Sequence, residues 1–175
     1  YELHDTAGNR WMVQEDRERI ETLIGEDASV EGLELRRHAF YEWARVAPLE
    51  EMMRLVSTGE AEIVKLFIWH PVPEQLEPVR QRLEQWGESA AITTSGPYNI
   101  EVIPKHASKW EGLLYFIRKW GFTPEQVMAF GDADNDREAL THAGYSVAME
   151  NADPAIKKIA RFIAPHHNED GVARF

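Results

Sequence analysis

An α/β fold is predicted for this chain, with a parallel sheet in its C-terminal part and a smaller α+β unit before it. Two patterns carry the prediction. After Pro104, helices alternate with short strands that are apolar throughout, as expected of a parallel sheet covered on both faces. Before it, residues 62–103 read strand, helix, strand, strand, which is one half of an open-faced α+β sandwich. The composition agrees, because 43% apolar and 28% charged residues among 175 is a globular balance rather than a disordered one. The boundary is placed near residues 104–107, giving domains of 1–104 and 105–175.

Taken in order, the pieces around Leu3 and Trp11–Val13 read as strands flanking a Thr6-Ala7-Gly8-Asn9 turn. Glu15–Ile24 reads as a charged helix with Ile20, Leu23 and Ile24 as its stripe and Gly25 closing it. A second helix starts at Pro48, with the proline in its first turn, and runs to Val56. Glu62–Trp69 is a strand, and Pro73–Trp86 a helix that turns Leu76, Val79, Leu83 and Trp86 to one face. Ser89–Thr94 and Tyr98–Ile103 form a hairpin about Ser95-Gly96-Pro97. The alternation then runs through helix 108–120, strand 126–130, helix 135–143, strand 145–149, helix 154–161 and strand 162–164.

Charge and composition exclude several classes. With 19 basic and 30 acidic side chains the formal net charge is −11, so neither nucleic acid nor an anionic membrane is an expected partner. There is no cysteine, hence no disulfide framework and no thiolate zinc site; a cytoplasmic location is expected. No apolar run approaches the length of a membrane span. An anionic substrate therefore needs a local positive device, such as a metal ion or a helix N-terminus.

Such a device can be read in the sequence. Val127-Met128-Ala129-Phe130-Gly131 runs straight into Asp132-Ala133-Asp134-Asn135-Asp136, a buried strand delivering three carboxylates to its carboxyl end, where open α/β sheets bind ligands. Three acids within five residues repel one another unless a cation or several donors stabilise them, and a hard ion such as Mg²⁺ answers that demand. The plainer alternative is that Asp132 or Asp134 caps the next helix. Upstream, Ser108 and Glu111 form a capping box. Lys109 then falls in the first helical turn, where a cation opposes the helix dipole unless an anion is held there too. Trp110 follows it, either adding bulk near the pocket or packing inward. His106 lies close to Lys109 and either faces the pocket or is merely structural, the second reading being preferred; the adjacent His166 and His167 are read as loop residues.

Lys109 followed by Gly131-Asp132-Ala133-Asp134-Asn135-Asp136 resembles the third and fourth motifs of the haloacid dehalogenase-like hydrolases. Glu101-Val102-Ile103-Pro104, Ser146-Val147-Ala148-Met149-Glu150-Asn151-Ala152-Asp153-Pro154 and Asn168-Glu169-Asp170-Gly171-Val172-Ala173 resemble, more closely, their Cof-type sugar-phosphate phosphatase branch. The resemblance implies the C-terminal half of a doubly wound, Rossmann-like core over 105–175 and an inserted α+β cap over 1–104. It implies Asp132 as a Mg²⁺ ligand and Lys109 as the group neutralising the phosphoryl oxygens and the nucleophile. It further implies Asn135 at the phosphate, and Asp136 either supporting the metal shell or orienting Lys109. The activity implied is Mg²⁺-dependent hydrolysis of small phosphorylated metabolites through an aspartyl phosphate, by a monomer or a homodimer.

The family's Asp-x-Asp-Gly-Thr nucleophile segment has no counterpart in the chain. At roughly 30 residues for each βαβ unit, about 90 residues carrying the nucleophile are expected before Tyr1, and the chain alone is expected to be inactive. A non-catalytic phosphate- or metal-binding remnant, and a phosphotransferase or mutase on the same core, are the alternatives.

Overall fold

A computed structural model describes residues 1–26 and 43–175. They gather into two compact units, Tyr1–His70 and Pro71–Phe175, so the boundary expected near 104–107 falls inside the second unit. The first unit contains β1 (Glu2–Asp5), β2 (Arg10–Val13), α1 (Gln14–Glu26), β3 (Ala44–Ala47), α2 (Leu49–Ser57) and β4 (Ile63–Trp69). Its strands lie in the order β3-β2-β1-β4. β1 runs antiparallel to β2 and β4, and β2 parallel to β3.

The expected turn between β1 and β2 is present, and Gly8 takes the left-handed conformation it requires, with φ 81°. Met52 of α2 packs with Val13 and Ala47 into a small core. Three details differ from the sequence reading. α1 continues through Gly25 to Glu26, and the side chains of Ile20, Leu23 and Ile24 lie outside the described residues. Pro48 stands just outside α2 as its N-cap, where its missing N–H costs nothing. β3 was not anticipated, since four residues reading Ala-Arg-Val-Ala are too few to display a period.

The second unit opens with α3 (Glu77–Glu84), preceded by a 3₁₀ turn at Pro73–Gln75. Pro78 sits in its first turn and fixes where the helix starts. Leu76 and Leu83 are buried as expected, but Val79, within α3, and Trp86, beyond its end, remain exposed. The hairpin β5 (Ala90–Thr93) and β6 (Asn99–Pro104) follows, with Thr93 opposite Glu101. Then come α4 (Lys109–Trp120), β7 (Met128–Gly131), α5 (Arg137–His142), β8 (Tyr145–Met149), α6 (Pro154–Lys157), β9 (Phe162–Ala164) and α7 (Gly171–Arg174).

β7, β8 and β9 form a parallel sheet in that order, confirming the predicted alternation. Side chains leave it with a period of two. Ala129 and Ala148 face a core made with Trp110, Ile117, Leu140 and Ile156. Val147, Met149 and Ala164 face the other way, with Phe130 against them. Ile156 and Leu140 are all but inaccessible, each worth about 1.5–3 kcal/mol of apolar burial. α4 begins at Ser108, whose Oγ accepts from the Glu111 N–H at 3.2 Å, and ends at Gly121 with φ 73°, as a left-handed C-terminal residue should. Helices 135–143 and 154–161 prove shorter than read, at six and four residues.

One buried acid secures the β1–β2 turn. The Asp5 carboxylate accepts from the Asn9 N–H and Nδ2 at 2.8 Å each, and from Trp11 Nε1 at 2.9 Å. Burial by itself raises this carboxyl, but the hydrogen bonds from Trp11 and Asn9 outweigh it and hold the group below its ordinary value. A folded pKa below the unfolded one stabilises the fold above about pH 4. That stabilisation disappears as pH falls through the folded value. Urea titrations at descending pH are therefore expected to show an acid-dependent loss of stability that is smaller in Asp5→Asn, and equal losses in both proteins would refute the assignment.

Candidate active site

The acidic turn leaves the carboxyl end of β7 as a 3₁₀ turn over Asp134–Asp136 and leads into α5. Its three carboxylates avoid mutual repulsion by finding separate partners. Asp136 is buried, at 6% exposure. Its Oδ1 accepts from Lys109 Nζ at 2.5 Å, and its Oδ2 from the Asp132 and Ala133 N–H groups at 3.0 and 3.3 Å. Asp134 accepts from Arg137 Nε at 2.7 Å and from Thr93 Oγ1 at 3.3 Å. Asp132 accepts from Asn151 Nδ2 at 3.0 Å through Oδ2 alone. Among the described residues, Asp132 Oδ1 accepts no hydrogen bond.

Lys109 and Asp136, distant in sequence, are thus brought into contact, and Asp136 faces Lys109 with both of its oxygens occupied. The helix-capping reading of Asp132 and Asp134 fails, since neither side chain bonds the first N–H groups of α5. Asn135 is half-buried; its N–H donates to the Thr94 carbonyl at 3.2 Å, while its side chain makes no hydrogen bond among the described residues. Trp110 packs inward, stacked on His142 with ring centroids 5.4 Å apart. His106 is exposed in the turn after β6, and His166 and His167 lie in the loop after β9.

Gly131 is dictated by this arrangement. A Cβ there would stand 2.7 Å from Asp136 Cγ and 2.9 Å from Oδ2, so only glycine lets the carboxylate fold back beneath the strand end. Two further contributions were not read from the sequence. Asn151, two residues past β8, holds Asp132, and Thr93 and Thr94 tie the hairpin to the acidic turn. Asn151 carried a usable signal, as a polar side chain at the carboxyl end of an apolar strand. The two threonines carried none, because their partners lie some forty residues further along the chain.

Mg²⁺ was expected at Asp132. Among the described residues no three His, Cys, Asp or Glu side chains stand together as a metal cluster. The open Oδ1 of Asp132 nevertheless suits an octahedral ion that keeps several waters and takes only one or two carboxylates. The chain therefore fits as the source of one ligand. Among the described residues no helix is long and apolar enough to cross a membrane.

Fold and site together define an α/β protein with an acidic turn and a lysine converging at the carboxyl ends of a parallel sheet. Comparison with known proteins makes this specific. The haloacid dehalogenase-like hydrolase family matches residues 49–175, and the chain belongs to that family. It is similar to the phosphoglycolate phosphatase of Methanopyrus kandleri, 32% identical over 170 residues that cover 97% of this chain and 68% of that protein. It is also similar to a 5-amino-6-(5-phospho-D-ribitylamino)uracil phosphatase of Bacillus subtilis, 42% identical over 101 residues covering 58% of this chain and 39% of that one. Among solved structures, a haloacid dehalogenase-like hydrolase from B. subtilis superposes with a TM-score of 0.76 at 25% identity, covering 98% of this chain and 62% of that one. The chain thus spans between 39% and 68% of the length of these three proteins.

Replacing Gly131 by alanine is expected to displace Asp136 and lower stability by about 1–3 kcal/mol, the usual penalty for overpacking. Denaturant unfolding measures it, and a wild-type midpoint would show that the strand end accommodates the methyl group.

Proposed function

We propose that the chain is part of a Mg²⁺-dependent phosphatase that hydrolyses small phosphorylated metabolites through an aspartyl phosphate. The observation that carries this reading is the lysine–carboxylate arrangement at the sheet's carboxyl edge. Lys109 is anchored on Asp136, while Asp132 keeps an oxygen free beside the same turn. A phosphoryl group entering here meets a cation held in place before it arrives, which is how phosphoryl transfer is stabilised without reorganisation. Lys109 remains 56% exposed, so its ammonium is accessible to a ligand while one of its hydrogens is committed to Asp136.

In this reading Asp132 holds the metal and Asp136 positions Lys109, which neutralises the phosphoryl oxygens. Asn135, with its main chain fixed and its side chain uncommitted, contacts the phosphate. Bound Mg²⁺ would supply Lewis-acid stabilisation of the charge on the transferred group. The nucleophilic aspartate is assigned to a segment outside this chain. Residues 1–104 are assigned to the specificity-determining cap and 105–175 to the core. The β5–β6 hairpin, in the same compact unit as the acidic turn, meets that turn through Thr93 and Thr94.

The test is release of inorganic phosphate by the full-length protein, with and without Mg²⁺. The panel should include sugar phosphates, phosphoglycolate and 5-amino-6-(5-phospho-D-ribitylamino)uracil, the last two because relatives bear their names. Phosphate release that requires Mg²⁺ is the expected result, and product recovered only as a shifted phosphate ester would count against hydrolysis. Asp132→Asn is expected to lower turnover roughly 100-fold or more while the protein stays folded; unchanged Mg²⁺-dependent turnover would remove Asp132 from the metal. Lys109→Ala is expected to weaken binding of a phosphate analogue such as vanadate, and an unaltered affinity would leave Lys109 a surface lysine.

A further inference from the structure

Each strand of the parallel sheet delivers one residue from its carboxyl end to a single hydrogen-bonded chain. Asp132 follows β7, Asn151 follows β8 and His167 follows β9. Asn151 Nδ2 donates to Asp132 Oδ2 at 3.0 Å, and Asn151 Oδ1 accepts from the His167 N–H at 3.2 Å. The same loop holds the Asp132 main chain, for the Asp153 N–H donates to the Asp132 carbonyl at 3.0 Å.

The chemistry of the three groups gives this chain a direction. An ionised carboxylate only accepts and a peptide N–H only donates, whereas a primary amide has one end of each kind. The His167 N–H fixes the oxygen end of Asn151, so the amide cannot flip, and its NH₂ end is committed to Asp132. One carboxylate oxygen is thereby occupied and the other left open. Without Asn151, no side-chain donor among the described residues would distinguish the two oxygens.

We propose that Asn151 is a positioning residue that holds Asp132 with Oδ1 free for a divalent cation. The assignment rests on Asp132 being the Mg²⁺ ligand, as read above. A partner of this kind acts through the ligand, so its removal should appear first in metal affinity.

The experiment uses the full-length protein. Mn²⁺ binding is followed by calorimetry without substrate, and Mg²⁺ is titrated against phosphate release. Asn151→Ala is expected to weaken Mn²⁺ binding about 10–100-fold and to raise half-saturating Mg²⁺ in proportion. Substrate KM at saturating Mg²⁺ should stay within about twofold, since uniform substrate binding is untouched. Asn151→Leu, of similar size and lacking both polar ends, should do the same. Wild-type metal affinity in either folded variant overturns the assignment and leaves the phosphatase reading intact. Loss of fold in both variants, judged by circular dichroism, places Asn151 in the fold rather than on Asp132 and overturns it equally. A wild-type protein that neither binds the metal nor releases phosphate defeats the underlying reading, and the positioning role with it.

Discussion

The Asp136 carboxylate is where the core half of this molecule is tied together. It lies inside the protein, and a buried carboxylate without partners costs several kcal/mol. Its neighbours must therefore come to it. Lys109 reaches it from the first turn of α4, and the N–H groups of Asp132 and Ala133 reach it from the turn itself. Because Lys109 is more than half exposed, its ion pair contributes little net stability. The two main-chain donors carry more of the structural role, and they are available only because Gly131 leaves room for the carboxylate beneath them.

That constraint explains how three neighbouring acids can coexist. Asp136 takes the buried place and three donors, Asp134 is drawn aside by Arg137 and Thr93, and Asp132 is left half-satisfied. A single acidic turn thus contains one structural carboxylate, one that anchors the hairpin and one with an open oxygen. Membership of the haloacid dehalogenase-like hydrolases fits this division, and the proposed phosphatase chemistry uses the last of the three.

Much of this could be read in advance wherever the signal was local. The apolar run Val127–Phe130, the glycine after it and the S-x-x-E cap at Ser108 each announce an element and an end, and β7, β8, β9 and α4 lie where those signals place them. Short or amphipathic pieces were harder. β3 has too few residues to show a period, and α3 breaks off before Trp86 can join its buried face. Within the site, residue types gave the chemistry of Lys109, Asp132 and Asp136. The pairing of Lys109 with Asp136, and the hold of Asn151 and Thr93 on the acids, depend on contacts between distant segments that no window of sequence contains.

The convergence of three strand ends on one chain of hydrogen bonds also limits how the connecting loops can vary. Strand ends in a parallel sheet sit about 5 Å apart, a gap an asparagine side chain can span from one position in its loop but hardly from the next. One residue inserted between Met149 and Asn151 would carry the amide away from both Asp132 and the His167 N–H. One removed between Ala164 and His167 would withdraw the N–H that orients it. The loops after β8 and β9 therefore act as spacers whose residue count matters more than most of their side chains. Anyone grafting new loops onto this scaffold would have to keep those lengths fixed and place the variation elsewhere.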